Sequence, residues 1–168
     1  MAGNILAQQA ASGAFTITLA SVATSSSKIV GPESTAIATD ADDYLDYYVG
    51  GKITTGTSPT VSKTIDIYGY GAYHDTPTYP VKITGTASTV TFDSENQRNS
   101  ALRLLHTIVV DANSDRTYSF GPVGVAAVFG GILPTDIGVW VTHDTAVNLN
   151  STAGNHAINY TGVYARYT

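Results

Sequence analysis

Hydrophobic and polar positions alternate along most of the chain, and where they do not, glycine or proline stands. Phe15, Ile17 and Leu19 share one parity, with Thr16 and Thr18 between them. This is the period of a strand with one buried face, and it predicts a strand over 14–23. Short strands are expected at 28–30, stopped by Gly31-Pro32, and at 89–92. A long strand over 44–55 is broken by Gly50-Gly51, which marks a bulge or bend. Over 63–73 the alternation is clear: Ile65 and Ile67 take one face, Asp66, Tyr68 and Tyr70 the other. Ser94 can cap a turn of helix that feeds a strand over 104–111. Strands follow at 116–120, ending at Gly121-Pro122, then at 136–143 around Trp140, and at 156–167. Between them, 123–129 is apolar all round and fits a single buried helical turn ending at Gly130-Gly131.

About eight short strands, no long helix and frequent glycine turns predict an all-β protein, a single antiparallel β-sandwich of jelly-roll or Greek-key type. The sandwich takes 14–168. Residues 1–13 lack strand alternation and a full helical stripe, and read as an extended N-terminal arm with one helical turn at Ile5–Gln9.

Composition narrows the function. Hydrophobic residues make up 43%, enough for a folded core. Charged residues are only 12%, against about 25% in an ordinary soluble domain. Eight Lys and Arg face thirteen Asp and Glu, so the net charge is −5. Cations this sparse supply no basic stripe, so neither nucleic acid nor an anionic membrane is expected as a partner. No apolar run approaches a bilayer span, and the 14–23 stretch lacks the cationic start of a signal peptide. The absence of cysteine removes thiol nucleophiles and cysteine-held metals. Thr, Ser, Gly and Tyr fill the vacated positions. A surface of hydroxyls and amides is cheaper to desolvate than one of charges, so it suits extensive contact with protein.

Candidate chemistry is thin. His74, His106, His143 and His156 have no metal-ligand spacing. Asp40, Asp42, Asp43 and Asp46 lack the glycine and terminal glutamate of a calcium loop, and read as a solvated acidic loop. Only Glu33 and Glu95 are glutamates, and no nucleophile elbow occurs. Gly69-Tyr70-Gly71 lies inside a strand and is not a dinucleotide fingerprint. No cofactor, no metal and no enzymatic reaction are expected. Tyrosine is the notable count. Tyr44, Tyr47, Tyr48, Tyr68, Tyr70 and Tyr73 fall in what read as adjacent strands. Tyr68, Tyr70 and Tyr73 could form an exposed platform that stacks on sugar rings; otherwise these rings pack the sandwich or an oligomer interface with hydroxyls at the rim.

Three stretches carry a resemblance that runs from Phe15-Thr16-Ile17-Thr18-Leu19-Ala20-Ser21 to the C-terminus: Tyr48-Val49-Gly50-Gly51-Lys52-Ile53-Thr54-Thr55-Gly56-Thr57, Asp115-Arg116-Thr117-Tyr118-Ser119-Phe120-Gly121-Pro122 and Gly154-Asn155-His156-Ala157-Ile158-Asn159-Tyr160. Through them the chain resembles small virion structural proteins of tailed bacteriophages, over nearly its whole length. That resemblance implies a capsid decoration (cement) protein on the virion exterior, made in the host cytoplasm. It would bridge and stabilise major capsid subunits and form a homo-oligomer, a trimer or a dimer. The arm, with Ile5, Leu6, Gln8 and Gln9, is the expected partner contact. The alternatives are a glycan-binding, host-receptor module and a structural component of a tail or fibre.

Overall fold

A computed structural model describes residues 5–39, 44–72, 74 and 76–167. In chain order the strands are β1 (Ile5–Gln9), β2 (Gly13–Ala14), β3 (Val30–Glu33), β4 (Ile37–Ala38), β5 (Asp46–Thr54), β6 (Thr64–Gly71), β7 (Ser88–Thr91), β8 (Arg103–Val109), β9 (Thr117–Gly124), β10 (Asp136–His143) and β11 (Ala157–Tyr167). Two short helices, α1 (Glu95–Ala101) and α2 (Val125–Val128), lie between them.

The strands form two sheets in which every pairing is antiparallel. Sheet A runs β1–β11–β5–β9, with β2 beside β1 on the same edge of β11. Sheet B runs β7–β3–β10–β6–β8, with β4 also on β10. If β1 with β2, and β3 with β4, are each taken as one interrupted strand, the pairings nest. The outermost pair is β1/β2 with β11, then β3/β4 with β10, β5 with β9, and β6 with β8. This is the wrap of a jelly roll, and β7 is an added edge strand.

The bulge expected at Gly50-Gly51 is there: the β5–β9 register shifts between Val49 and Gly51. The capped turn is α1, where the Ser94 hydroxyl accepts from Gln97 N–H. Other expectations need correction. Ile5–Gln9 is a strand, not a helical turn, because the edge of β11 opposite β5 offers this segment a ladder. β2 spans the expected boundary between arm and body. Residues 15–19 form no strand. Phe15 and Leu19 are buried as their parity implied, but the segment crosses from one sheet to the other, with Phe15 N–H on Ile158 O and Thr35 N–H on Thr16 O. β3 runs through Gly31-Pro32. β9 runs through Gly121-Pro122, which an edge strand tolerates because the missing N–H faces no partner.

Two cores result. Between the sheets lie Ile53, Ile65, Ile67, Val139, Val141 and Ile158, all essentially inaccessible. The second core lies on the outer face of sheet B, where Tyr68, Tyr70 and Trp140 are covered by the excursion over 72–102 through Ile83, Val90, Phe92 and Leu102. The central strands β6 and β10 of sheet B are therefore buried on both faces. Phe92 meets the Trp140 ring edge-on at 5.4 Å, and the indole N–H donates to Gly31 O at 2.9 Å. The Arg98 guanidinium lies 5.2 Å from the Tyr68 ring centroid and donates to Lys28 O. Glu33, fully buried, holds the excursion down. Its carboxylate accepts from Thr84 N–H and Oγ1–H, Gly85 N–H and Ser88 Oγ–H, at 2.6 to 3.2 Å.

Glu33→Gln puts an amide NH₂ against backbone donors that cannot turn away. It is expected to cost about 2–3 kcal/mol in urea unfolding. His143 gives a pH signature. It is fully buried, with Nε2–H donating to Val22 O at 3.1 Å and Nδ1 2.9 Å from the Thr145 hydroxyl. Burial lowers its pKa below the ordinary 6.5, against the opposing pull of the Val22 carbonyl and Asp144. The unfolded chain then takes up the proton first. Stability present above about pH 6.5 is lost as pH falls toward the native value. The melting temperature is expected to drop between pH 7 and pH 5, and His143→Gln to flatten that slope.

Candidate interaction surface

The outer face of sheet B is covered over β10 and β6 and open only along β8, where Leu104 and Val109 are exposed, whereas the outer face of sheet A is bare among the described residues. In β11 the even positions Ile158, Tyr160 and Gly162 turn inward, so Asn159, Thr161, Val163 and Ala165 turn out. In β5 Tyr47 and Val49 turn inward and Tyr48 out. In β9 Tyr118 and Phe120 turn inward, and Thr117 and Ser119 out. Register places Ala7 and Gln9 of β1 beside Ala165 and Val163. The outer face is thus small, hydroxylated or amidic. Among the described residues its charged side chains are Asp46 and Lys52, and Asp46 is committed to Ala126 N–H at 2.7 Å.

A shallow depression of about 350 Å³ crosses this face from β1 to β9. Gln9, Tyr48, Asn159, Thr161 and Pro122 line it, and no charged residue does. Gly50 and Gly121 are its floor. A Cβ on Gly50 would lie 3.0 Å from Phe120 O, and one on Gly121 2.5 Å from Val49 O. Gly121 also sits at φ +81°, where side chains are strained. The bulge brings the two backbones together, and only glycine fits between them.

No family model matches this chain, and no curated protein does.

The segment expected to meet a partner is exposed here. The β5 pairing of β11 ends at Val163, and among the described residues its continuation is paired by β1 alone, as a two-stranded ribbon. Ile5 is 74% exposed and Leu6 48%. Ile5 and Gln9 lie on the outer side of the ribbon, Leu6 and Gln8 on the inner. There Gln8 Oε1 accepts from Tyr164 O–H at 3.1 Å. Leu45 and Ile132, the latter 79% exposed, lie on loops at the same end of the sandwich, where Thr39 N–H meets Thr135 O. Pattern reading passed over both. The signal available for Ile132 was an isolated isoleucine directly after Gly130-Gly131.

The tyrosine platform does not form. β5 and β6 belong to opposite sheets, and Tyr68 and Tyr70 lie beneath the 72–102 excursion. Burial raises both phenol pKa values, that of Tyr70 far beyond its usual range. The Tyr70 hydroxyl donates to Ser34 O at 2.5 Å. Tyr73 lies outside the described residues, as do Asp40, Asp42 and Asp43 of the acidic cluster.

Charge gathers at the other end. Lys28 Nζ lies 2.8 Å from Asp66 and 3.8 Å from Asp144, and Lys63 3.2 Å from Asp144. Burial works to raise the Asp144 carboxyl, but Thr64 N–H and the two ammonium groups outweigh it and hold it below the usual range. These groups neutralise one another and tie the 25–28 turn to β6 and β10. The imidazoles are likewise engaged separately. His156 sits between Thr54 N–H and Asn150 O, His106 stacks on Phe120, and His74 accepts from Thr76 N–H. Among the described residues no three His, Asp or Glu gather as metal ligands, and no helix is long and apolar enough to cross a membrane.

Gly121→Ala tests the floor. The strained φ and the close carbonyl are expected to cost about 1–3 kcal/mol in urea unfolding, while Gly130→Ala, at φ +87° with open space around its Cβ, costs less.

Proposed function

We propose that this protein is a structural subunit of a virus particle, a decoration protein of the tailed-bacteriophage kind. It lies on the shell exterior, bridges major capsid subunits and acts by adhesion, without a reaction. The observation that carries this reading is the uncovered outer face of sheet A, broad, glycine-floored and almost free of charge. Neutral hydroxyls and amides lose less on leaving water than ions do, so such a face can be covered by protein at low desolvation cost. Each copy gains about 25 cal/mol per Å² of apolar area removed from water. A shell bound at several points by each oligomer multiplies that modest contact. Ile5, exposed on the same outer side of the ribbon, adds apolar area to the same contact.

A second reading has one observation of its own. The side chains of Gln9, Tyr48, Asn159 and Thr161 converge on the depression and make no hydrogen bond within the described residues. An aromatic ring beside amides and a hydroxyl is the equipment of a neutral-sugar site. Glycan binding, if present, belongs here and not at Tyr68 and Tyr70.

One experiment separates the two. The purified chain is sedimented with empty capsids of the phage that encodes it, and in parallel passed over host polysaccharide. Capsid binding is expected, and Tyr48→Lys or Thr161→Lys is expected to weaken it at least about tenfold, one desolvated charge of over 1.4 kcal/mol, with unchanged melting temperature. Capsid binding unaffected by both variants sinks the adhesive-face reading. Retention on polysaccharide without capsid binding replaces it with the second.

A further inference from the structure

The sandwich has several sheet edges, and they are protected to different degrees. β9 is interrupted by Pro122 and by the bulge opposite it. β7 has only four residues, and β8 carries a charge at Arg103 although Leu104 and Val109 beyond it are exposed. β1 is different. Ile5-Leu6-Ala7-Gln8-Gln9 holds no charge, no proline and no glycine, and its outer side pairs with nothing among the described residues. Proteins ordinarily protect such an edge, because its free N–H and C=O groups recruit another strand.

The hydrogen-bond phase says which strand fits. Ala10 N–H donates to Gly162 O at 2.8 Å, so the Ala10–Gly162 pair is a hydrogen-bonded one. By antiparallel alternation Gln8 and Leu6 also turn their backbone groups toward β11. The backbone groups of Ile5, Ala7 and Gln9 therefore point away from it, at the free edge. These three positions are symmetric about Ala7. A second β1 laid antiparallel across a two-fold axis at Ala7 sets Ile5 opposite Gln9 and Ala7 opposite Ala7. Every outward N–H then meets an outward C=O. Leu6 falls opposite Gln8, so no like charges oppose and each exposed leucine gains a neighbour.

We infer that two copies of this chain join edge to edge through Ile5–Gln9, antiparallel about Ala7, so that sheet A runs unbroken through a symmetric dimer. The two-fold makes the contact closed, which explains how an unprotected edge can be tolerated. The ribbon gains a third and fourth strand, where a two-stranded ribbon alone is marginal. The dimer does not depend on the particle reading, and it leaves the outer face of sheet A uncovered.

Sedimentation equilibrium of the full chain over a concentration series tests the assembly. The expected mass is twice the 17.5 kDa of one chain. Ala7→Pro deletes an N–H that faces the second copy and not β11. It should give the single-chain mass with an unchanged circular dichroism spectrum and melting temperature. The chain has no native cysteine, so Ala7→Cys reports the axis directly. Hydrogen-bonded antiparallel partners stand about 5.5 Å apart at Cα, within disulfide reach. Oxidation should cross-link Ala7→Cys, while Gln9→Cys, whose two copies stand four residues apart along the strands, about 13 Å, should stay single. A single-chain or trimer mass for the unmodified protein overturns the inference. So does a dimer that survives Ala7→Pro, or equal cross-linking at both positions. Capsid sedimentation is read separately, so loss of the dimer and loss of shell binding are distinguishable.

Discussion

The structure turns on the need to bury sheet B twice. Its central strands β6 and β10 carry large apolar side chains at both parities, Ile65, Ile67, Val139 and Val141 toward sheet A and Tyr68, Tyr70 and Trp140 away from it. A single partner layer satisfies only half of that surface. The chain supplies the second layer from its own excursion between β6 and β8, and Glu33 anchors it with a carboxylate that accepts from Thr84, Gly85 and Ser88 of the excursion. Arg98 closes the arrangement over the Tyr68 ring. Removing water from so many groups is favourable because each polar one found a partner: among the described residues no buried side-chain nitrogen or oxygen is left without one.

Sheet A inherits the opposite condition. No described segment of the chain covers its outer side, and the residues that turn there are mostly small, hydroxylated or amidic. Such a face is stable in water yet inexpensive to cover, which a charged face is not. The bulge between Val49 and Gly51 shapes it, because the crowded backbones admit glycine alone and so leave a hollow where side chains would otherwise stand. Past its pairing with β5, β11 carries the same sheet into the ribbon with β1. Among the described residues the bare face and the β1 edge thus belong to the same sheet.

Much of this was legible along the chain. Period-two alternation located most of β5, β6, β8, β10 and β11, the glycine pair located the bulge, and Ser94 located the start of α1. The two-sheet, all-β class followed from strand count and turn spacing. The errors have physical causes. Phe15 and Leu19 alternate and are buried without a ladder, since burial parity does not require a strand partner. Ile5–Gln9 carries residues that favour helix, and the open edge of β11 overrode that weak preference. Tyr68 and Tyr70 share one face of β6 as their parity implied, but the 72–102 excursion covers that face, so the platform read from them does not reach solvent.

By itself the sequence determined the class of fold, the scarcity of charge and the identity of the strands, because these follow from side-chain parity, composition and turn residues, all of which are local. Only the tertiary structure decided which faces were covered. Whether Tyr68 or Tyr48 meets solvent depends on where the 72–102 excursion lands, and that is set by contacts with Glu33 and Trp140 across long separations. The free edge at Ala7 is likewise a property of strand order and hydrogen-bond phase, which no single segment encodes.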